Sequence, residues 1–308
     1  MIKLRLFSWW ADTSAITKRF HSQFIGSYFA DDRIQFVTDN TYDYAVVFGY
    51  TKESIKTDKD HTIFFFQEPS WSSNWDREAH KKSNRIFCPS KEMYGNFDEN
   101  ISHPAYMFYG GHGDAHFDID TVLSYNNLTK SKNTSFVVTY RSSSPLTGGN
   151  SGNIYRERVM LAERLLHDNT DVDIYGQMWE YYSSPVKPSR LKGGVFSKRE
   201  AIQDYRFSIG IENSVEENYI TEKLYDILFF NSIPVYSGAL NISNIELLQD
   251  VIINLPTIEN TEECANFIKK NLTRELYEEK SKKINETKYH LFNSSDYNIW
   301  KKIIKEII

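Results

Sequence analysis

The stretch Phe207-Ser208-Ile209-Gly210-Ile211-Glu212-Asn213-Ser214, followed by Tyr219-Ile220-Thr221-Glu222-Lys223-Leu224, decides how the chain is read. Its first five residues form a short, mostly apolar run of the kind that parallel sheets bury on both faces. Glu212 and Asn213 stand at the carboxyl end of that run, and a polar loop leads from them to Thr221. Thr221 has the chemistry of an N-cap. Glu222 and Lys223 then fall in the first turn of a helix over 221–230, with Leu224, Ile227 and Leu228 on one face. Ligands of open α/β sheets bind beyond the carboxyl ends of strands, and helix N-termini hold phosphates. A lysine in a first turn opposes the helix dipole, and an anion bound beside it removes that conflict. On spacing alone, an exposed lysine on a surface helix is the competing reading of Lys223.

Outward from this stretch the pattern repeats. Short apolar runs at 2–7, 44–48, 62–66, 85–88, 136–140, 173–175, 233–236 and 251–255 read as further strands. Segments 14–28, 155–167, 197–205 and 261–289 read as helices, the last one long, charged and open to interruption. Alternating strand and helix predicts a doubly wound α/β architecture. A length of 308 residues suits two units of that kind. The polar stretch 124–134 is the expected boundary. The expected organisation is therefore an N-terminal domain over 1–130, a C-terminal domain over 135–285, and a terminal helix over 286–308 packed on the body.

Composition narrows the function classes. The formal net charge is −5, which gives no global basic field for nucleic acid. The chain holds 20 Tyr, 20 Phe and 6 Trp; such rings fill cores or stack on the C–H faces of sugars, and composition does not separate the two. Cys88 and Cys264 lie far apart in apolar surroundings and read as buried thiols of a reducing compartment. No apolar run reaches transmembrane length, and the first residues alternate like a strand rather than forming a leader. The expected location is cytoplasmic. The amphipathic end Trp300-Lys301-Lys302-Ile303-Ile304 is expected to pack on the body, with weak peripheral attachment to the inner membrane face as its other role.

Glu212-Asn213-Ser214, Tyr219 to Leu224 and the later Ile233-Pro234-Val235-Tyr236-Ser237-Gly238 together resemble the donor-binding signature of the α-1,3/4-fucosyltransferases, glycosyltransferase family ten. Order, residue type and spacing agree over about thirty residues. Weaker likeness extends upstream through Asp173-Ile174-Tyr175-Gly176, Arg156 and Arg158, and Tyr140-Arg141-Ser142-Ser143. The resemblance implies an α/β fold of GT-B type, two Rossmann-like domains facing a cleft, the first holding a glycan acceptor and the second GDP-fucose. It implies donor contacts from Glu212, Asn213, Tyr219, Thr221, Glu222 and Lys223. Arg158, or Arg156 as the fallback, is implied on the diphosphate. Phe64-Phe65-Phe66-Gln67-Glu68-Pro69-Ser70 resembles the family's strand-end glutamate, which makes Glu68 the expected base of an inverting, metal-independent α-1,3-fucosyl transfer. N-acetylglucosamine or glucose in a lactosamine- or lactose-type unit is the expected acceptor. Ser70, Trp71, Trp75 and His112 are expected near that acceptor. A non-catalytic nucleotide-sugar or carbohydrate-binding protein on the same fold is the rival reading.

Other motifs are weaker. Asp118-Ile119-Asp120 and Asp171-Val172-Asp173 have the form of a metal-binding Asp-x-Asp, but pairs at that spacing are common and the second leads into a strand. His112 and His116 lack a third ligand at a recognised spacing. Gly148-Gly149-Asn150-Ser151-Gly152 lacks the Gly-Lys-Ser/Thr ending of a triphosphate loop. No metal and no cofactor are expected.

Overall fold

The apolar runs become two parallel sheets built from consecutive parts of the chain. The computed structural model describes residues 1–21, 31–66, 68–89, 129–140, 154–182, 188–195 and 197–308. In the first sheet, β1 (Ile2–Ser8), β2 (Ile34–Phe36), β3 (Tyr44–Phe48), β4 (Thr62–Phe65) and β5 (Arg85–Phe87) lie in the order β2-β1-β3-β4-β5. In the second, β6 (Lys132–Val137), β7 (Val172–Tyr175), β8 (Leu191–Gly193), β9 (Tyr205–Ile211), β10 (Ile233–Ser237) and β11 (Ile253–Asn254) lie in the order β11-β10-β9-β6-β7-β8. Every strand pair among the described residues is parallel. All carboxyl ends within a sheet therefore face one edge, where ligands of such sheets bind.

The central strands are the ones written as apolar runs. Residues 45–48 of β3 and all of β4 are buried, as is β9 apart from Arg206. The edge strands β2 and β8 escape the sequence reading because an edge strand buries little and needs no apolar run; Gln35 and Lys192 are exposed in their middles. β6 starts at Lys132, four residues before the expected 136, so the end of the polar stretch is strand and not linker. Thr134 and Ser135 are nevertheless buried, and the Ser135 hydroxyl donates to Ser208 Oγ on β9 at 2.9 Å.

The helices are α1 (Thr13–Phe20), α2 (Ala79–Lys82), α3 (Tyr155–His167), α4 (Lys198–Ile202), α5 (Glu222–Phe229) and α6 (Glu246–Gln249), then α7 (Thr261–Asn271), α8 (Arg274–Lys280), α9 (Ile284–Asn293) and α10 (Ile299–Ile307). The long helix expected over 261–289 is broken. Leu272 ends α7, and Thr273 caps α8 by accepting from Leu276 N–H at 3.3 Å.

Helix α10 returns to the first sheet. Its Trp300 ring lies 5.9 Å from Phe20 of α1 and 5.5 Å from Phe36 of β2, and Lys302 Nζ sits 4.7 Å over Phe87 of β5. Ile299, Trp300, Ile303 and Ile307 are all buried. These apolar residues of the stripe are thus used in packing on the body. No helix among the described residues is long and apolar enough to cross a membrane. Cys88 and Cys264 are both buried.

Candidate active site

Strand β9 delivers Glu212 to the carboxyl edge of the second sheet, where it is fully buried. Its Oε1 accepts from Thr221 N–H at 2.7 Å and from the Tyr236 hydroxyl at 3.2 Å, and its Oε2 accepts from the Thr221 hydroxyl at 2.6 Å. Thr221 is the N-cap of α5, accepting from Lys223 N–H, so Glu212 fixes the cap that starts the helix. Gly210 makes the approach possible: a Cβ there would stand 2.8 Å from the Lys223 carbonyl oxygen. Gly238 does the same beside Glu212, whose Cγ would meet an added Cβ at 2.3 Å.

Lys223 then sits in a cage of oxygens. Its Nζ lies 2.9 Å from Thr221 Oγ1, 3.3 Å from Glu222 Oε1 and 3.4 Å from Glu212 Oε2. Burial alone would raise the Glu222 carboxyl; Lys223 and Lys198 outweigh it and hold the group well below the usual carboxylate range. Lys198, the first residue of α4, also donates to Asp226 Oδ2 at 2.7 Å and reaches Glu222 Oε1 at 3.5 Å. Burial works against the Lys198 charge, but Asp226 and Glu222 raise its pKa above the ordinary value. Burial pushes Asp226 up to about 6.

Lys198, Glu222, Lys223 and Asp226 line a pocket of about 250 Å³, walled by Val137, Ile202, Ile209 and Ile227 and edged by Tyr155, Asn213 and Arg158. Arg158 is buried on α3, donates through Nη1 to Asn213 Oδ1, and lies 4.8 Å over the Tyr155 ring. Its Nε has no partner among the described residues, although it is shielded from solvent. An anion entering this pocket would meet Arg158, Lys223 and the first turn of α5, all of which favour negative charge.

Glu68 follows β4 and is half-buried. Burial raises its carboxyl above the ordinary value, opposed by Lys223 and aided by Glu222. The carboxylate thus lies within the electrostatic reach of the first turn of α5. It takes no hydrogen bond from the described residues. Arg19 on α1 also feels Asp226 and Glu222, both of which raise its pKa against a larger lowering by burial.

The loop after Glu68 is pinned to the loop between β9 and α5. Ser70 N–H donates to both Glu216 carboxylate oxygens, at 3.0 and 3.2 Å. Trp71 Nε1–H donates to Ser214 Oγ at 3.2 Å, and Ser214 donates on to Glu216 at 2.6 Å. Asn218, in the left-handed region at φ 58°, donates to the Pro89 carbonyl at 3.3 Å.

The structure places the expected site residues as follows. Trp75 is no stacking surface for a sugar: it is 4% exposed, lies 4.7 Å from the Phe66 ring at 3° between planes, and donates to the Pro69 carbonyl. Ser70 and Trp71 spend their N–H groups on the partner loop rather than on open space. Glu212 and Tyr219, expected at the donor, are buried and absent from the pocket lining, and Thr221 is occupied as a cap. Arg156 points to solvent, while Arg158, two residues on, lines the pocket. His112, the Gly148–Gly152 loop and Asp118–Asp120 lie outside the described residues. Asp171 and Asp173 are engaged by Arg190, at 2.6 and 3.1 Å, which leaves no open metal pair there. Among the described residues no group of three or more His, Cys, Asp or Glu could hold a metal ion.

Two pocket residues had no part in the sequence reading. Asp226 could have been found, because it lies four residues after Glu222 on the same helical face. Lys198 could not: it reaches the pocket from another helix through tertiary packing.

Residues 147–281 match the profile of glycosyltransferase family 10 (fucosyltransferase), C-terminal part. A fucosyltransferase-like protein of Arabidopsis thaliana is 32% identical over 112 residues, which is 36% of this chain and 20% of that one. An alpha-(1,3)-fucosyltransferase of Caenorhabditis elegans is 23% identical over 172 residues, 56% of this chain and 41% of the other. The chain thus aligns with less than half the length of either relative. Crystal structures of alpha1,3-fucosyltransferase with GDP and with GDP-fucose superpose with a TM-score of 0.51, at 16% and 15% identity. They cover 96% and 95% of this chain, and 93% and 90% of theirs. The architecture is therefore that of a GT-B glycosyltransferase.

Proposed function

We propose that this chain, whose residues 147–281 match the family 10 profile, transfers L-fucose from GDP-fucose to a hydroxyl of a glycan acceptor, with inversion and without a metal ion. The observation that supports the reading is that Glu68 feels the charges of Lys223 and Glu222, two residues that line the pocket. A pocket edged by Arg158 and Lys223 opens at the start of α5. Glu68, from the other sheet, has a carboxyl raised by burial and coupled to that same helix start.

The chemistry then runs as a single displacement. The acceptor hydroxyl gives its proton to the Glu68 carboxylate, and its oxygen attacks the anomeric carbon of fucose from the face opposite the diphosphate. The bond from that carbon to the β-phosphate oxygen breaks, and GDP leaves with the electron pair. Charge that builds on the leaving oxygen is met by Arg158, Lys223 and the first-turn N–H groups of α5. A raised carboxyl pKa suits a general base, because the driving force for proton transfer grows as the pKa nears the working pH. The acceptor is a glycan alcohol on the first sheet's side; an N-acetylglucosamine or glucose unit with a free 3-hydroxyl fits the reading.

Glu68→Gln is the test. Calorimetry should find GDP bound within about threefold of wild type, while release of GDP in the presence of GDP-fucose and a glycan panel falls by about 10²–10⁴-fold. Full turnover by this variant would remove Glu68 from the mechanism.

A further inference from the structure

The pocket contains a pair that the transfer chemistry leaves unused. Asp226 lies one helical turn beyond Glu222, about 5.4 Å further along α5 and away from the N-terminus where phosphates are held. Its side chain is 7% exposed, and Lys198, at 2.7 Å, is 21% exposed. Both line the pocket, beside Ile202 and Ile227. Isoleucine walls do nothing for a diphosphate, but they suit the faces of a flat heterocycle. A buried carboxylate beside a half-buried ammonium, next to isoleucine walls, suits the edge of such a ring.

The geometry points to Asp226 and Lys198 as the pair that reads guanine, an inference that rests on the GDP-fucose reading above. The guanine edge presents an acceptor at O6 and donors at N1–H and N2–H₂. Asp226 offers Oδ1, which takes no hydrogen bond from the described residues, and a second lone pair on Oδ2. Lys198 has three N–H donors, of which two are directed at Asp226 and Glu222, so one remains for O6. Acceptor thus meets donor at every point of the edge. Uracil offers a carbonyl where guanine offers N2–H₂ and would set oxygen against the Asp226 carboxylate. Burial raises the Asp226 carboxyl, so donors arriving from a base would replace solvation that burial denies it.

Calorimetric titration of the full chain with GDP, inosine diphosphate, 2-aminopurine riboside diphosphate and UDP tests this without any acceptor. Inosine lacks the 2-amino group, and 2-aminopurine lacks O6 and N1–H. Wild type should bind GDP at least about tenfold more tightly than either purine analogue, the loss expected when a buried charged partner is left unmatched. Asp226→Asn should bring the ratio of GDP to inosine diphosphate within about twofold, and Lys198→Met should do the same for GDP against 2-aminopurine. Equal wild-type affinity for GDP and inosine diphosphate would overturn the assignment while leaving the donor reading intact. So would an Asp226→Asn protein that keeps the full preference. If either variant fails to fold, the wild-type comparison alone decides. Failure of wild type to bind GDP at all would take this inference down with the donor reading.

Discussion

Glu212→Gln isolates the clamp at the start of α5. The substitution is nearly isosteric, so it leaves no cavity; what changes is charge and one acceptor. Glu212 takes hydrogen bonds from Thr221 N–H and the Thr221 hydroxyl and lies 3.4 Å from Lys223 Nζ, with no exposure to solvent. The amide can keep one oxygen acceptor but must turn its NH₂ toward another donor. Hydrogen bonds to a charged group contribute about 1.5–3 kcal/mol, and breaking a buried pair from one side costs about 3–5 kcal/mol. Lys223 keeps Glu222 at 3.3 Å and is 17% exposed, which places the loss near the low end, about 3 kcal/mol. With a urea m-value of about 3 kcal/mol/M, the unfolding midpoint should fall by about 1 M. GDP affinity should fall too, because Lys223 and the first-turn N–H groups lose their fixed positions. Urea titration followed by tryptophan fluorescence measures the first, and calorimetry the second. A midpoint within about 0.2 M of wild type, with unchanged GDP affinity, would refute the clamp.

Arg158→Ala should weaken GDP binding by about tenfold or more, whereas Arg156→Ala, on the exposed side of α3, should change it by less than about twofold; equal effects would sink the assignment of Arg158 to the pocket. Trp75→Ala should destabilise the protein by about 3–5 kcal/mol as a large core truncation, read as a drop in thermal midpoint, while an unchanged midpoint would mean the ring is not core after all. The Glu68 carboxyl is raised, so the folded state binds its proton more tightly than the unfolded chain. Glu68 therefore costs stability as pH rises from about 4.5 through its folded pKa, and acidification relieves that cost. Transfer needs the deprotonated form, so kcat/KM should climb through a pKa above 4.5, and this rising limb should disappear in Glu68→Gln.

How much was legible depended on what each residue had to do locally. A central strand buried on both faces must be apolar throughout, so β3, β4 and β9 announce themselves in the sequence. β2 and β8 are edge strands with exposed middles, and no local rule distinguishes Ile34-Gln35-Phe36 from a turn. The cap at Thr221 was readable because capping is local chemistry. The division of labour between Glu212 and Glu222 was not. Both are glutamates flanking the same helix start, and only the packing of Tyr236 and Thr221 makes one a buried clamp and leaves the other lining the pocket. Trp71 and Trp75 pose the same difficulty: four residues apart in one loop, they part company because the loop folds back and lays Trp75 on Phe66. Arg158 and Arg156 differ by two positions on a helix, about 200° around its axis, so fixing the register fixes which one faces inward.

Helix α10 has a consequence for the order in which the molecule is made. The apolar faces of Phe20 and Phe36 are covered by Trp300, which is synthesised more than two hundred residues after β5. At ribosomal rates of about 5–20 residues per second, the first sheet waits on the order of ten seconds or more with that surface uncovered. The second sheet, whose strands all precede residue 260, can close first and present a finished neighbour. The cover that Trp300 gives Phe20 and Phe36 is therefore added only once residues 299–307 have left the exit tunnel.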